Sequence, residues 1–217
     1  MKFQIVVLVA FVGVVCGNPV SNFKKDIDEI VAVLPLEEMK NIAEDYYNTD
    51  SEIQDIVAYL KGDEAKKIYA EIVALKDVQE FIGFLGEQGL NTERFSSLET
   101  LLRLPTYEPD ASKAKVLRTG GLKGLIADIK ACLPQNDLQR ILMRKLTKSP
   151  GFASVYKKIQ EFNFLPLEEY ANQSKEVAAL VKRLESYGIN VDKVVKQLTA
   201  LFGWSKSASD SDDFDME

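Results

Sequence analysis

The chain contains no histidine and only two cysteines in 217 residues. Without histidine there is no Ser-His-Asp or Cys-His catalysis, no His-ligated haem, and no zinc site that needs an imidazole from this chain. Two cysteines cannot build a disulfide-rich scaffold or a four-cysteine metal site. Basic charge is short as well. Lys and Arg number 27 against 33 Asp and Glu, a formal charge of −6, which is the wrong sign for a general nucleic-acid surface. Long apolar runs are scarce: Ile5–Val15 is eleven residues, where a membrane-spanning helix needs about 20. Alternating β-branched stretches are missing too, so nothing in the sequence supports a sheet.

What is present begins with two separable ends. Met1–Gly17 has the layout of a secretory leader: Lys2, the apolar run, then Val15-Cys16-Gly17 with small residues before a cut. An uncleaved membrane anchor is the alternative, although Asn18-Pro19 interrupts the run. Cleavage after Gly17 removes Cys16 and leaves Cys132 as the one thiol, either buried and inert or bridging two chains. At the other end, residues 205–217 carry Asp210, Asp212, Asp213, Asp215 and Glu217 against Lys206. Few apolar residues and high charge predict a disordered, solvating tail. With the leader gone the formal charge is −7, of which the tail supplies −4, so the body carries only −3.

The body repeats itself at an offset of 99 residues. Ile27, Ile30, Ala32, Leu34 and Pro35 fall on Ile126, Ile129, Ala131, Leu133 and Pro134. Ile42 falls on Ile141, Leu85 on Leu184, Gly89 on Gly188 and Asn91 on Asn190. The register runs without a gap from residue 24 to about 102, which is what an internal duplication looks like. A second match, Leu34–Glu38 with Leu165–Glu169, does not extend beyond its five residues and reflects a general helix start, proline followed by acids. The chain is therefore read as a single all-helical domain over 18–204. Repeat one covers about 22–104, a Pro-containing connector 105–119, and repeat two 120–204.

Breakers and caps predict six short helices per repeat. They fall at 22–33, 35–48, 51–61, 63–74, 76–88 and 92–103, then at 121–132, 134–147, 150–161, 166–172, 174–187 and 191–203. Pro35 opens the second helix, Asp50 or Ser51 caps the third, Gly62 stops it and Asp63 caps the next. Gly89 and Gly188 terminate helices, and Asn91 and Asn190 cap the ones that follow. Pro166 delays the fourth helix of repeat two, making that region the least symmetric. Trp204 is expected to anchor the last helix.

Apolar spacing is helical throughout, as in Ile53, Ile56, Val57 and Leu60, or Val177, Leu180, Val181 and Leu184. Core packing explains most of such a stripe. No catalytic constellation emerges. Glu37-Glu38 and Glu168-Glu169 sit in first turns, where the helix dipole accounts for them. Gly120-Gly121 has no phosphate-loop context and reads as a helix-start turn. Asn172-Gln173-Ser174 is an N-glycosylation sequon on Asn172. Tyr46 and Tyr47 are amphipathic rings that either pack or offer a hydroxyl to a lipid head group.

The segments Ile30–Glu38, Phe81–Leu85 with Gly89-Leu90-Asn91, Thr119–Leu122, Leu184–Asp192 and Leu201-Phe202-Gly203 resemble the insect allergen-related repeat family. That family includes cockroach group 1 allergens, mosquito midgut microvillar proteins and caterpillar nitrile-specifier proteins. The resemblance covers residues 22–204. It implies an all-α fold in which two tandem repeats of about six short helices form one shell around a large apolar cavity. It also implies a secreted, non-enzymatic protein of the insect midgut lumen or microvillar surface. Such a protein would hold fatty acids or phospholipid acyl chains, need no cofactor or metal, bind no nucleic acid and associate with the gut membrane surface. Lining residues are expected from Ile27, Ile30, Ile42, Tyr46, Ile56, Leu60, Ile68, Ile72, Phe81 and Leu85 in repeat one. In repeat two they are Ile126, Ile129, Ile141, Leu146, Ile159, Leu167, Leu180 and Leu184. Competing readings are a structural or binding protein of the gut surface, a detoxification modifier like the nitrile-specifier proteins, and an exchangeable lipid-surface binder. The last would need longer amphipathic helices with fewer breaks. No oligomeric state follows from the residues.

Overall fold

Proline, glycine and capping side chains set the helix ends in the computed structural model, which describes residues 22–202. Among these residues there are twelve α-helices and no strand. The first half holds α1 (Asn22–Ala32), α2 (Leu36–Thr49), α3 (Ser51–Lys61), α4 (Asp63–Val73), α5 (Lys76–Glu87) and α6 (Leu98–Leu102). The second holds α7 (Gly121–Cys132), α8 (Gln135–Lys148), α9 (Pro150–Gln160), α10 (Leu165–Gln173), α11 (Lys175–Ser186) and α12 (Val191–Phe202). The expected leader 1–17, Trp204 and the acidic tail 205–217 lie outside the described residues.

Helix starts recur 99 residues apart for α1 and α7, α2 and α8, α3 and α9, and α5 and α11. The local geometry recurs with them. Pro35 and Pro134 precede α2 and α8 with nearly the same backbone angles. Asp50 accepts hydrogen bonds from the backbone N–H of Glu52 and Ile53 at the start of α3, and Ser149 accepts from Phe152 at the start of α9. Such caps satisfy N–H groups that a helix cannot pair internally. Gly89 and Gly188 have φ of 83° and 74°, and each lets the next residue bond five positions back, Leu90 to Leu85 and Ile189 to Leu184. A side chain at either glycine would be strained in that left-handed conformation.

Three sequence expectations are corrected. The helix expected over 92–103 is broken into a 3-10 turn, Thr92–Ser96, and α6. Ser97 is extended and its hydroxyl accepts from Thr100 N–H, starting a new helix. The second half has Val195-Lys196 where the first has Ser96-Ser97, so α12 lacks the competing cap and runs unbroken. Asp63 is the first residue of α4 and not its cap; Gly62 takes that place. Cys132 is half-buried at the edge of an apolar cluster, with its thiol directed at Ile129 O, 3.1 Å away. In the expected region of low symmetry, α10 is short, and Asn163 accepts from Leu165 N–H at its start.

The halves exchange their first helices. α1 packs on α8 and α9, while α7 packs on α2 and α3. Apolar side chains collect in three clusters. One joins Phe23 and Ile27 of α1 to Tyr69, Phe81, Leu85, Leu90 and Leu101, and to Val155, Ile159 and Leu198 of the other half. A second joins Ile68 and Ile72 to Leu167, Val177, Val181, Val191 and Val195. The third joins Ile42, Tyr46, Tyr47 and Ile53 to the half-buried Leu122, Leu125 and Ile129 of α7.

The exchange makes Gly124 of α7 a tight point. A methyl group there would lie 2.5 Å from the Tyr46 hydroxyl and 2.9 Å from Thr119 O, whereas one at Gly83 of α5 meets nothing within 4 Å. Gly124→Ala should therefore destabilise the fold by about 1–2 kcal/mol, overpacking outweighing the helix-propensity gain. Gly83→Ala should be neutral or stabilising by up to ~1 kcal/mol. Urea unfolding of both variants checks the contrast; equal effects would refute the close approach of α7 to α2.

Candidate functional site

Helical periodicity places apolar side chains on every long helix, and the structure sorts the eighteen sequence-selected positions by burial. Ile27, Ile42, Tyr46, Ile68, Ile72, Phe81, Leu85, Ile159 and Leu167 are buried in the three clusters. Ile30, Ile56, Leu60, Ile129, Ile141, Leu146, Leu180 and Leu184 are half-buried. Ile126 is 49% exposed. Ile30, Ile56, Ile129, Leu180 and Leu184 are partly buried and pack against these clusters. Asn172 is exposed on the last turn of α10.

Neither tyrosine singled out for a head group has a spare hydroxyl proton. Tyr46 lies within hydrogen-bond reach of Asp128 at 3.1 Å and Thr119 O at 3.3 Å, and Tyr47 donates to Tyr107 O at 2.9 Å. Burial, then the Asp128 carboxylate, pushes the Tyr46 hydroxyl above its ordinary range. Burial does the same for Tyr47. Both rings serve the protein's own packing. Tyr59 of α3 was not selected from sequence. Its hydroxyl is buried without a hydrogen-bond partner, and the Arg183 guanidinium of α11 lies over its ring, 4.5 Å from the centroid. An unpaired buried hydroxyl costs roughly 1–3 kcal/mol. Nothing in the local pattern marks Tyr59, because the missing partner is a property of tertiary packing.

Polar contacts fasten the exchanged helices at equivalent positions. Tyr46 of α2 meets Asp128 of α7, and 99 residues on from Tyr46, Lys145 of α8 meets Glu29 of α1 at 2.8 Å. Lys145 also pairs with Asp26 at 2.6 Å, both side chains 9% exposed, and Ser149 hydrogen-bonds to Asp26. Burial alone would lower the Lys145 ammonium's pKa; hydrogen bonds to Asp26 and Glu29 outweigh it and hold the group above its usual range. Across the other joint, Asp50 and Glu52 accept from Gly121 and Leu122 N–H at 3.0 and 2.7 Å. Two carboxylates thus meet the positive start of α7. Lys145 could have been suspected from sequence, since it lies on the buried side of α8 with Leu138 and Ile141.

Residues 22–195 match the family described as insect allergen related repeat, nitrile-specifier detoxification. Protein G12 of Anopheles gambiae is 31% identical over 206 residues, which cover 94% of this chain and 98% of that relative.

Removing one partner of the buried pair leaves the other charge poorly compensated. Asp26→Ala should cost about 3 kcal/mol, at the low end for a buried pair because Glu29 remains. Arg144→Ala, which breaks an exposed pair with Glu29, should cost less than ~1 kcal/mol. The Lys145 pKa is raised on folding, so its contribution is fully present below the ordinary value of 10.5 and is lost as pH rises through the folded value. Urea unfolding against pH should show a gap between the parent and Asp26→Ala that shrinks as pH rises through the folded Lys145 value.

Proposed function

The chain belongs to the insect allergen related repeat family, and we propose that it is a secreted, non-catalytic carrier of fatty acyl chains, as free fatty acid or phospholipid, in the insect midgut. The observation that carries this reading is the divided core. Apolar side chains run along both halves, yet they gather in three clusters and leave Ile30, Ile56, Leu60, Ile129, Leu180 and Leu184 half-buried. A partly buried apolar group retains unfilled dispersion contacts. An acyl chain fills them at about 0.8 kcal/mol per buried CH₂. The Tyr59 hydroxyl supplies one donor for a carboxyl or ester oxygen. The half-buried positions, more than the fully packed Leu85 or Leu167, are where ligand contact is proposed.

Secretion rests on the Met1–Gly17 pattern and predicts a mature chain that begins at Asn18. The absence of histidine favours binding over turnover. A detoxification role is the second reading, favoured by the nitrile-specifier wording of the matched family; added protein would then divert glucosinolate breakdown toward nitriles.

Organic extraction and mass spectrometry of protein purified with its native leader should give near-stoichiometric acyl lipid. Replacing Ile56, Leu60 and Leu184 together by Asn should lower that load severalfold while helicity is kept. Folded protein without lipid, or an unchanged load in the variant, would overturn the carrier reading.

A further inference from the structure

The junction between α4 and α5 recurs in the second half as the junction between α10 and α11, built from the opposite kind of residue. Val73, Ala74 and Leu75 stand where the second half, 99 positions on, has Asn172, Gln173 and Ser174. Val73 packs against the first apolar cluster and Leu75 against the second. Asn172 and Gln173 are exposed. Asn172 shares its side of α10 with Glu169 and Leu165, about one and two turns earlier, and both of these are exposed as well. That side of α10 is therefore uncovered among the described residues. The packed side lies opposite, where Leu167 is buried and Tyr170 donates to Glu71 of α4 at 2.7 Å.

We propose that Asn172 carries an N-linked glycan, an inference that rests on the secretion part of the proposed function. Of the chain's asparagines, Asn172 alone has Ser or Thr two positions on, and neither Gln173 nor Lys175 is a proline that would block transfer. In the transfer, Nδ2 of Asn172 attacks the anomeric carbon of an oligosaccharide carried on a lipid diphosphate. An N–C bond forms and the C–O bond to the diphosphate breaks. The lipid diphosphate leaves, and the amide proton passes to a base of the transferase. The Ser174 hydroxyl, which the transferase reads on an extended chain, is afterwards taken over by the fold. It accepts from Val177 N–H at 3.3 Å and donates to Glu176 at 3.2 Å, capping α11. The acceptor signal and the helix cap thus use one hydroxyl in succession. The asparagine itself stays outside in the folded body, so the modified chain needs no repacking. A glycan is bulky and hydrophilic, and at this place it bars one side of α10 from a membrane or a second chain. Val73, the equivalent position, could not bear such a group without opening the cluster it packs against.

The test is expression of the full chain with its leader in cultured insect cells, followed by mass spectrometry of the N-terminus and of the glycopeptides. A chain that begins at Asn18 should carry one glycan, on the peptide that contains Asn172. Enzymatic deglycosylation should remove it and convert that asparagine to aspartate. Ser174→Asp keeps a helix cap but ends the sequon, and should abolish the glycan with helicity unchanged. Ser174→Thr keeps both and should retain the glycan. A secreted chain cut after Gly17 with Asn172 bare would overturn this proposal and leave the secretion reading standing. A chain that keeps Met1–Gly17 and stays in the cell would overturn both. A glycan that persists in Ser174→Asp would overturn the assignment to Asn172.

Discussion

Each half of this protein buries the other half's first helix. α1 rests on α8 and α9, and α7 on α2 and α3. Phe23 and Ile27 are nearly inaccessible, in one cluster with Phe81 and Leu85 of their own half and Val155, Ile159 and Leu198 of the second. Burying side chains of that size contributes roughly 1.5–3 kcal/mol apiece, and the main helix packing of α1 and of α7 is made across the halves. The duplication is thus thermodynamically coupled: loss of one half exposes the opening helix of the other. Polar contacts then fix the orientation. Asp50 ties the start of α7 to the start of α3, and the buried Asp26–Lys145 pair ties α1 to α8. A buried ion pair adds little net stability, but an unpaired charge is costly, so in this protein the pair penalises a misregistered exchange.

The exchange also bears on how apolar surface is distributed. Helices of five to fourteen residues are about 8–21 Å long, too short for one extended seam. They meet at their ends and flanks instead, in three clusters. The proposed carrier role draws on apolar side chains that these clusters leave partly buried. It needs neither a catalytic base nor a metal, in keeping with a chain that lacks histidine. Tyr46 and Tyr47 illustrate a limit on reading polar tips as ligand contacts. Both hydroxyls are engaged with the protein's own connector or with α7, whereas Tyr59 carries a buried hydroxyl without a hydrogen-bond partner.

Most helix boundaries were legible because they depend on a few residues acting locally. Pro35 and Pro134 cannot sit in a helix interior, Gly89 and Gly188 accept positive φ, and Asp50 and Ser149 offer a side-chain oxygen to free N–H groups. The break at Ser97 was missed because serine is tolerated inside helices and its capping ability matters only when the surrounding packing permits a break. Candidate contacts were less legible. Periodicity marks Leu85 and Leu184 alike, yet the first is fully packed and the second half-buried. The difference lies in which helix each one meets.

By itself the sequence determined the helical class, the 99-residue register, the positions where helices begin and end, and the exclusion of histidine chemistry. Those properties come from local conformational preference and from residues that are simply absent. Tertiary structure alone decided the exchange of first helices, the burial of Asp26 against Lys145 and the capture of the connector by α2. Each of these joins residues 60 or more positions apart. The energy of such contacts depends on burial and geometry, to which neighbours along the chain contribute almost nothing.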